Sequence, residues 1–508
     1  MRKVIFFVLL VYLCAISNPV FAKKFIALES RQDRLRFSFD NIHITNQEKM
    51  GLLGLHYDWD SFLFEKTYLG FGVFGALTGD RGGFFVGGVT FGYKTELWKG
   101  LDLDLGIFAG GGGGASAFPG SGAMLRPHLV LGKKFDFGTI SVGIANSNIS
   151  GKDTGAIITG GLSFPLYLTI PKIINSEYEN KKSEDLTTQA IRITPIYTLY
   201  FPDSNVLRRD STDLMSETVP ILGLQLDYFL SKALYLSFEP GGAWGGNSDG
   251  YGQIFGGVGY LLKINSLVDL DSKFILGMSG GGGIDTGGGL VVQPLLGINI
   301  KLFPSYVWKI MIGKNYTYNA GFQATVFKTG LSWTGDLLMT KDECLIDPKR
   351  VNLAVWDINI GNKIYFPKPG LKMKTGRIYE PQIHLFGVQV STPINNSMNI
   401  FGAGYTAYAG EVGAYAEGWF GLKTGQNITK KSKVFAQLAL GASGGGGINV
   451  GDGLAWEWNI GWESKLLNDL GLNLKYGQMQ GLGDNPGLFH ADVFIISVEY
   501  LIQTAFKK

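Results

Sequence analysis

Gly54-Leu55-His56-Tyr57-Asp58, Gly223-Leu224-Gln225-Leu226-Asp227 and Gly387-Val388-Gln389-Val390-Ser391 are one pattern written three times in a 508-residue chain. In each copy apolar residues alternate with polar residues or glycine. Successive side chains of a strand point to opposite faces, so each copy reads as a β-strand with one apolar and one polar face. The copies lie 169 and 164 residues apart. A glycine run recurs at Gly110 to Gly114, Gly280 to Gly283 and Gly444 to Gly447, trailed by Gly120 and Gly122, Gly287 and Gly289, Gly451 and Gly453. Solenoids and propeller blades repeat every ~20–50 residues, so these units are domain-sized.

The same alternation extends outward from these stretches. Leu53, Leu55, Tyr57 and Trp59 oppose His56 and Asp58; Leu101, Leu103, Leu105 and Ile107 oppose Asp102 and Asp104. Leu125, Leu129 and Leu131 oppose Arg126 and His128; Leu296, Ile298 and Ile300 oppose Gln293 and Asn299. A soluble sandwich would bury the apolar faces, whereas a membrane barrel turns them outward. Three features favour the barrel. The strands have about 9–12 residues, enough to cross a bilayer when tilted. Trp59, Trp98, Trp308, Trp333 and Trp462 fall near strand ends, where an interfacial girdle belongs. The polar face is rich in glycine, which suits a lumen better than a solvated surface. The fold class is therefore all-β, a transmembrane antiparallel β-barrel of about 24 strands from three repeats of about eight.

The first repeat places strands near 34–44, 51–60, 67–78, 83–96, 101–110, 122–133, 138–147 and 156–170. The repeats span 23–171, 187–335 and 350–508, with 172–186 and 336–349 as charged linkers. An even strand number returns the chain to its starting side, so both linkers and both termini are expected in the periplasm. Two closures fit: one large barrel, or three tandem eight-stranded barrels. The single barrel is preferred, because edges shared between repeats need no separate closure.

Residues 1–22 read as a secretory signal: Arg2 and Lys3, a mostly apolar Val4 to Ile16, then Val20-Phe21-Ala22. The signal contains Cys14 and leaves Cys344 without a partner for an internal disulfide. Glycine, at 74 of 508, is about twice its usual share, beside 34 Phe, 22 Tyr and only 17% charged residues. With 45 basic and 42 acidic residues, no basic surplus marks a nucleic-acid binder. The final strand, with Phe494, Ile496, Val498, Tyr500 and Ile502, then Phe506, resembles the terminal aromatic strand of Gram-negative outer-membrane proteins. Two lysines follow Phe506, a departure from that pattern. The resemblance is porin-like and general, and it implies the cell outer membrane as location.

Motifs with chemical overtones have plainer readings. Gly70-Phe71-Gly72-Val73-Phe74-Gly75 fits the dinucleotide spacing, but a strand continues where a helix is required. Gly280 to Asp285 resembles one calcium nonapeptide, yet such sites need stacked neighbours. The glycine runs read as flexible hairpin connections or as places where lumen contents approach the backbone, with a repeated lip around a pore as the functional alternative.

The candidate lumen-lining residues are His56, Asp58, Arg126, His128, Gln225, Asp227, Gln293, Gln389, Ser391 and Glu457. Arg126, Gln293 and Glu457 are equivalent, as are His56, Gln225 and Gln389. In a single barrel each trio forms a ring able to set the field of a pore; alternatively they hydrogen-bond one another as buried polar groups must. Five histidines (His43, His56, His128, His384 and His490) stand at unrelated places, and no serine has a nucleophile context. No catalytic residue, metal site or cofactor is therefore expected.

The leading function is a channel or porin-like transporter for small solutes, or an export pore with a partner protein filling the lumen. The alternatives are a structural or surface-interaction protein of small closed barrels, and a lipid-modifying hydrolase or acyltransferase. Outer-membrane lipid is a partner in all of them. The mature chain is expected to begin at Lys23, which N-terminal sequencing of protein recovered from membranes checks.

Overall fold

The computed structural model describes residues 25–44, 48–62, 64–118, 120–174, 186–340, 344–346, 350–395, 397–467, 469–483 and 488–508. The signal segment 1–22 lies outside the described residues, as do 175–185, 341–343 and 347–349 of the two linkers.

The first repeat contains β1 (Phe25–His43), β2 (Lys49–Asp60), β3 (Thr67–Thr78), β4 (Phe85–Trp98), β5 (Leu101–Gly113), β6 (Met124–Phe135), β7 (Gly138–Ile149) and β8 (Lys152–Ile174). The second contains β9 (Thr187–Pro202), β10 (Val219–Phe229), β11 (Leu234–Ala243), β12 (Gly252–Lys263), β13 (Val268–Gly280), β14 (Leu290–Phe303), β15 (Tyr306–Thr317) and β16 (Ala324–Met339). A short β17 (Cys344–Ile346) precedes the third: β18 (Val351–Pro367), β19 (Ile383–Pro393), β20 (Met398–Ala409), β21 (Ala416–Asn427), β22 (Ser432–Gly444), β23 (Leu454–Lys465), β24 (Leu470–Gly481) and β25 (His490–Lys507). The eight strands read from the first repeat are all present; β1 begins nine residues before the expected 34, and the other ends differ by four residues or fewer.

Each repeat closes on itself. β1 pairs with β8 from Phe25↔Ile174 to Asp40↔Thr159. β9 pairs with β16 from Thr187↔Met339 to Pro202↔Ala324, and β18 with β25 from Val351↔Lys507 to Pro367↔Ala491. The preferred single large barrel is thereby corrected: the chain forms three eight-stranded barrels. Continuous pairing links the second and third into one sixteen-strand sheet only because β16 and β25 meet at Leu337↔Phe506. The preference failed on a physical point. A first and a last strand of closely matched length bond along most of their facing edges, which satisfies those backbone groups within the repeat. The other edge of β1, beyond β2, takes β17 from Ile26↔Ile346 to Leu28↔Cys344.

Polarity is inverted relative to a soluble core. Leu105, Ile107, Leu125, Leu129, Leu131 and Leu296 are exposed on the outer wall, while Asp102, Asp104, Arg126, His128 and Gln293 are buried inside. That is the arrangement of a barrel surrounded by lipid. At the end of each barrel away from the termini, loops fold inward over an apolar cluster. Phe74, Phe84, Phe108 and Phe118 fill the first; Tyr251, Phe255, Ile284 and Phe322 the second; Tyr415, Ile448, Val450 and Phe489 the third.

The glycine runs are neither flexible hairpins nor a lip. They are the seams between barrels. The run after β13 packs on the β3–β4 loop of the first barrel, where a Cβ at Gly83 would stand 2.3 Å from the nitrogen of Gly281. The run ending β22 packs on the β11–β12 loop of the second, with Gly444 against Gly250. The run ending β5 packs on the β20–β21 loop of the third, with Gly113 against Ala414. Equivalent surfaces thus meet head to tail around a pseudo-threefold ring. The trailing glycines join the seam as well: Gly82 donates its N–H to the carbonyl of Gly287 (2.6 Å), and Gly413 to that of Gly120 (2.9 Å).

Because barrel strands are tilted, different strands face the ring axis at the other end. There Ile26 and Leu28 of β1, Leu338 of β16, Cys344 and Ile346 of β17, Val351 of β18 and Ala505 of β25 share one apolar cluster. Two of the expected girdle tryptophans serve this contact: Trp59 lies 4.5 Å from the ring of Tyr500, and Trp333 packs edge-on against Phe506.

Gly83 (φ +92°) and Gly151 (φ +80°) share the left-handed conformation, but no atom lies within 4 Å of a Cβ built at Gly151. Alanine at either position is expected to cost about 1–2 kcal/mol through backbone strain. Gly83→Ala should cost more and expose the join between the first two barrels to protease, as a urea series with limited proteolysis reads out. Equal effects at the two positions would contradict the seam.

Candidate functional site

The inward faces of the barrels bury a concentration of charged side chains. The first lumen is held by arginines from β1. Arg34 reaches Asp104 (2.9 Å) and Asp58 (3.0 Å), Arg36 adds a second contact to Asp58 (2.8 Å), and Tyr68 donates its hydroxyl to Asp104 (2.7 Å). Inward glycines make room for these groups. A Cβ at Gly72 would strike the His56 ring, and one at Gly70 would strike Asp58, which accounts for the dinucleotide-like motif in β3. His56 itself sits between Phe74 and Phe108, while His128 lies 3.3 Å from the Tyr68 hydroxyl and 3.5 Å from Asp104.

In the second lumen Arg192 holds Asp227 (2.7 Å), which also accepts from Gln225. Lys273 donates to Gln225 (2.8 Å) and Glu239 (2.9 Å), and Lys328 completes the contact to Glu239. In the third, Lys363 bridges Glu417 and Glu457 beneath the rings of Tyr365, Tyr405 and Trp419. Lys475 donates to Gln389 (2.6 Å), and Ser391 donates to Asp357 (3.1 Å).

All ten lumen residues named from sequence are therefore buried and partnered or ring-packed, four in the first barrel, three in the second and three in the third. The two trios do not form rings, because each member lies in a different barrel. Sequence reading missed their partners, above all Arg34, Arg36, Asp40 and Lys363, which stand on first strands. The signal was available in the alternation of β1 and β18, where each of these residues falls on the inward side.

Register shows what equivalence means here. Ser38, Ile196 and Gly361 pair with the glycines of the repeated motif, so Asp40, Thr198 and Lys363 are also equivalent. Arg126 grips Asp40 through two bonds of 2.6 and 2.8 Å in the first barrel, and Glu457 grips Lys363 in the third. The same cross-lumen pair is thus built with its charges exchanged. In the second barrel both places are neutral, and Gln293 bonds instead to Tyr200 (2.6 Å) and Asn315 (2.8 Å). What the three lumens have in common is pairing between buried side chains rather than a sign of charge.

Water does not reach these groups: Arg126 is 2% exposed, and Asp40, Gln293 and Lys363 are 0% exposed. An eight-stranded barrel is just wide enough for side chains to fill it. Among the described residues, each lumen carries an apolar cluster toward one end and a network of ion pairs and hydrogen bonds toward the other. On the rim away from the termini Arg81 grips Glu48 (2.6 and 2.8 Å), holding its carboxyl below the usual carboxylate range.

No family model matches the chain, and no curated protein matches it. Among solved structures, OpdL of Pseudomonas aeruginosa aligns at 11% identity over 95% of this chain and 99% of its own, with a TM-score of 0.21. The siderophore receptor PirA from Pseudomonas aeruginosa aligns at 9% identity over 93% and 80%, with a TM-score of 0.28. OccAB3 of Acinetobacter baumannii aligns at 10% over 95% and 100%, with a TM-score of 0.21. Scores this low carry no argument about function; the barrel assignment rests on the strand pairing.

Arg126→Ala is expected to destabilise the folded chain by about 3–5 kcal/mol, since it strands the carboxylate of Asp40. Exchanging the pair, with Arg126→Glu and Asp40→Lys together, copies the third barrel and should recover much of that loss. Urea titration followed by gel mobility of the folded form measures both. A double variant no better than the single one would remove the pair from the account.

Proposed function

We propose that the protein is an integral outer-membrane protein that works as a closed triad of barrels, a structural or surface-interaction element rather than a wide solute pore. The exchanged pair carries this reading: Arg126–Asp40 in one lumen and Glu457–Lys363 in another preserve closure while abandoning any common field. A selectivity filter would keep the sign of its charges. On this reading the linkers and both termini lie in the periplasm, and the inward-folded loops form the outer surface.

A second reading is a narrow, gated channel for small solutes, which keeps the porin-like function expected from sequence. One observation favours it. Arg34 holds Asp58 and Asp104 at once, so one contact can open while the other still compensates the charge. An enzymatic role has less support. His56 and His128 are buried in a lumen closed to lipid, and His384 on the outer wall lies beside Tyr408, which donates to Asn362.

Single-channel recording of the refolded full chain in a planar bilayer separates the two. Silence from protein shown to be folded by heat-modifiable gel mobility supports the closed triad. Small steps that grow on replacing Arg34 with alanine support the gated channel. Steps of nanosiemens scale in the unaltered protein would overturn the closed lumens altogether.

A further inference from the structure

Lysine repeats as faithfully as glycine does, at the rim where the termini lie. Lys134, Lys301 and Lys465 are equivalent in structure. Their main-chain N–H groups donate to the carbonyls of Gly100, Leu267 and Lys431 in the turn between fourth and fifth strands, at 2.9, 2.8 and 2.8 Å. Each repeat adds a lysine in or beside that turn, Lys99, Lys263 and Lys430, all exposed. Lys134 contacts Glu96 and Asp102, and Lys301 contacts Asp269; the other four make no ion pair among the described residues. Large apolar side chains lie immediately beside the lysines, with Trp98 79% exposed, Ile264 59% and Leu466 56%. This rim also exposes Glu65, Glu96, Asp136 and Asp469, fewer than its lysines, while the opposite rim exposes Asp80, Asp210, Glu411 and Asp452.

The strands that face the ring axis at this end are the first and last of each barrel. The turns between fourth and fifth strands therefore lie on the outer perimeter, against the surrounding bilayer. We propose that this rim binds the anionic headgroups of phospholipid in the leaflet it faces. The proposal rests on the membrane reading above and adds the ligand class. An acyl chain lies along the apolar outer wall, and the phosphate meets an ammonium on a flexible stem reaching to headgroup depth. Three copies spaced around a perimeter suit many small identical ligands better than one protein partner.

The test refolds the full mature chain into phosphatidylcholine vesicles and compares spin-labelled phosphatidylglycerol with spin-labelled phosphatidylcholine. A preference of about fivefold for the anionic lipid is expected, weakening with salt. It should vanish when the six lysines become glutamine and persist when they become arginine. Equal binding of the two lipids by folded protein overturns the proposal while leaving the membrane reading intact. A preference that survives glutamine replacement overturns it too, and polyglutamate binding without lipid preference reassigns the rim to an acidic protein. Failure of the unaltered chain to enter vesicles removes the membrane reading, and the headgroup site with it.

Discussion

A strand in hydrocarbon has no water to bond its edges, and each repeat answers that by bonding its first strand to its last. β1 with β8, β9 with β16 and β18 with β25 are the long pairings of the molecule. Everything else follows from these closures. Once a repeat is sealed at eight strands, its diameter is set, and its interior has room for side chains but not for a stream of water. Polar faces that would have lined one broad lumen are pressed together in three narrow ones. They must then find partners within reach, because an unpaired buried charge costs several kcal/mol.

Those partners come both from the neighbouring strand and from strands across the lumen. In the first barrel the arginines of β1 meet carboxylates on β2 and β5; in the third, the lysine of β18 meets glutamates on β21 and β23. The apolar clusters at the far end use aromatic bulk in place of pairing. The two devices together leave the outer walls as the surfaces through which the molecule meets its surroundings.

The alternation of Leu101 to Ile107 and of Leu125 to Leu131 made strand identity and outward polarity legible in the sequence, because a period of two is written locally. The threefold repeat was legible for the same reason. Closure was not: Phe25 meets Ile174 across nearly a whole repeat, and no local pattern says whether an edge turns back or runs on to the next unit. The glycine runs were visible as a repeat yet misjudged, since their neighbours at Gly83, Gly250 and Ala414 belong to a different barrel. At the site, His56, Arg126 and Glu457 are buried, but the geometry that decides their role depends on closure and was hidden with it.

The head-to-tail seams carry a genetic consequence. A homotrimer built on such a ring would suffer any seam mutation three times over, since one gene would supply all three contacts. Here Gly83, Gly250 and Ala414 are separate positions of one polypeptide, so a substitution at one leaves the other two joints untouched while the shared chain keeps the barrels at a fixed ratio. That freedom lets the copies drift apart, which is how one lumen can hold an arginine where its sibling holds a glutamate without either becoming incompatible with its neighbours.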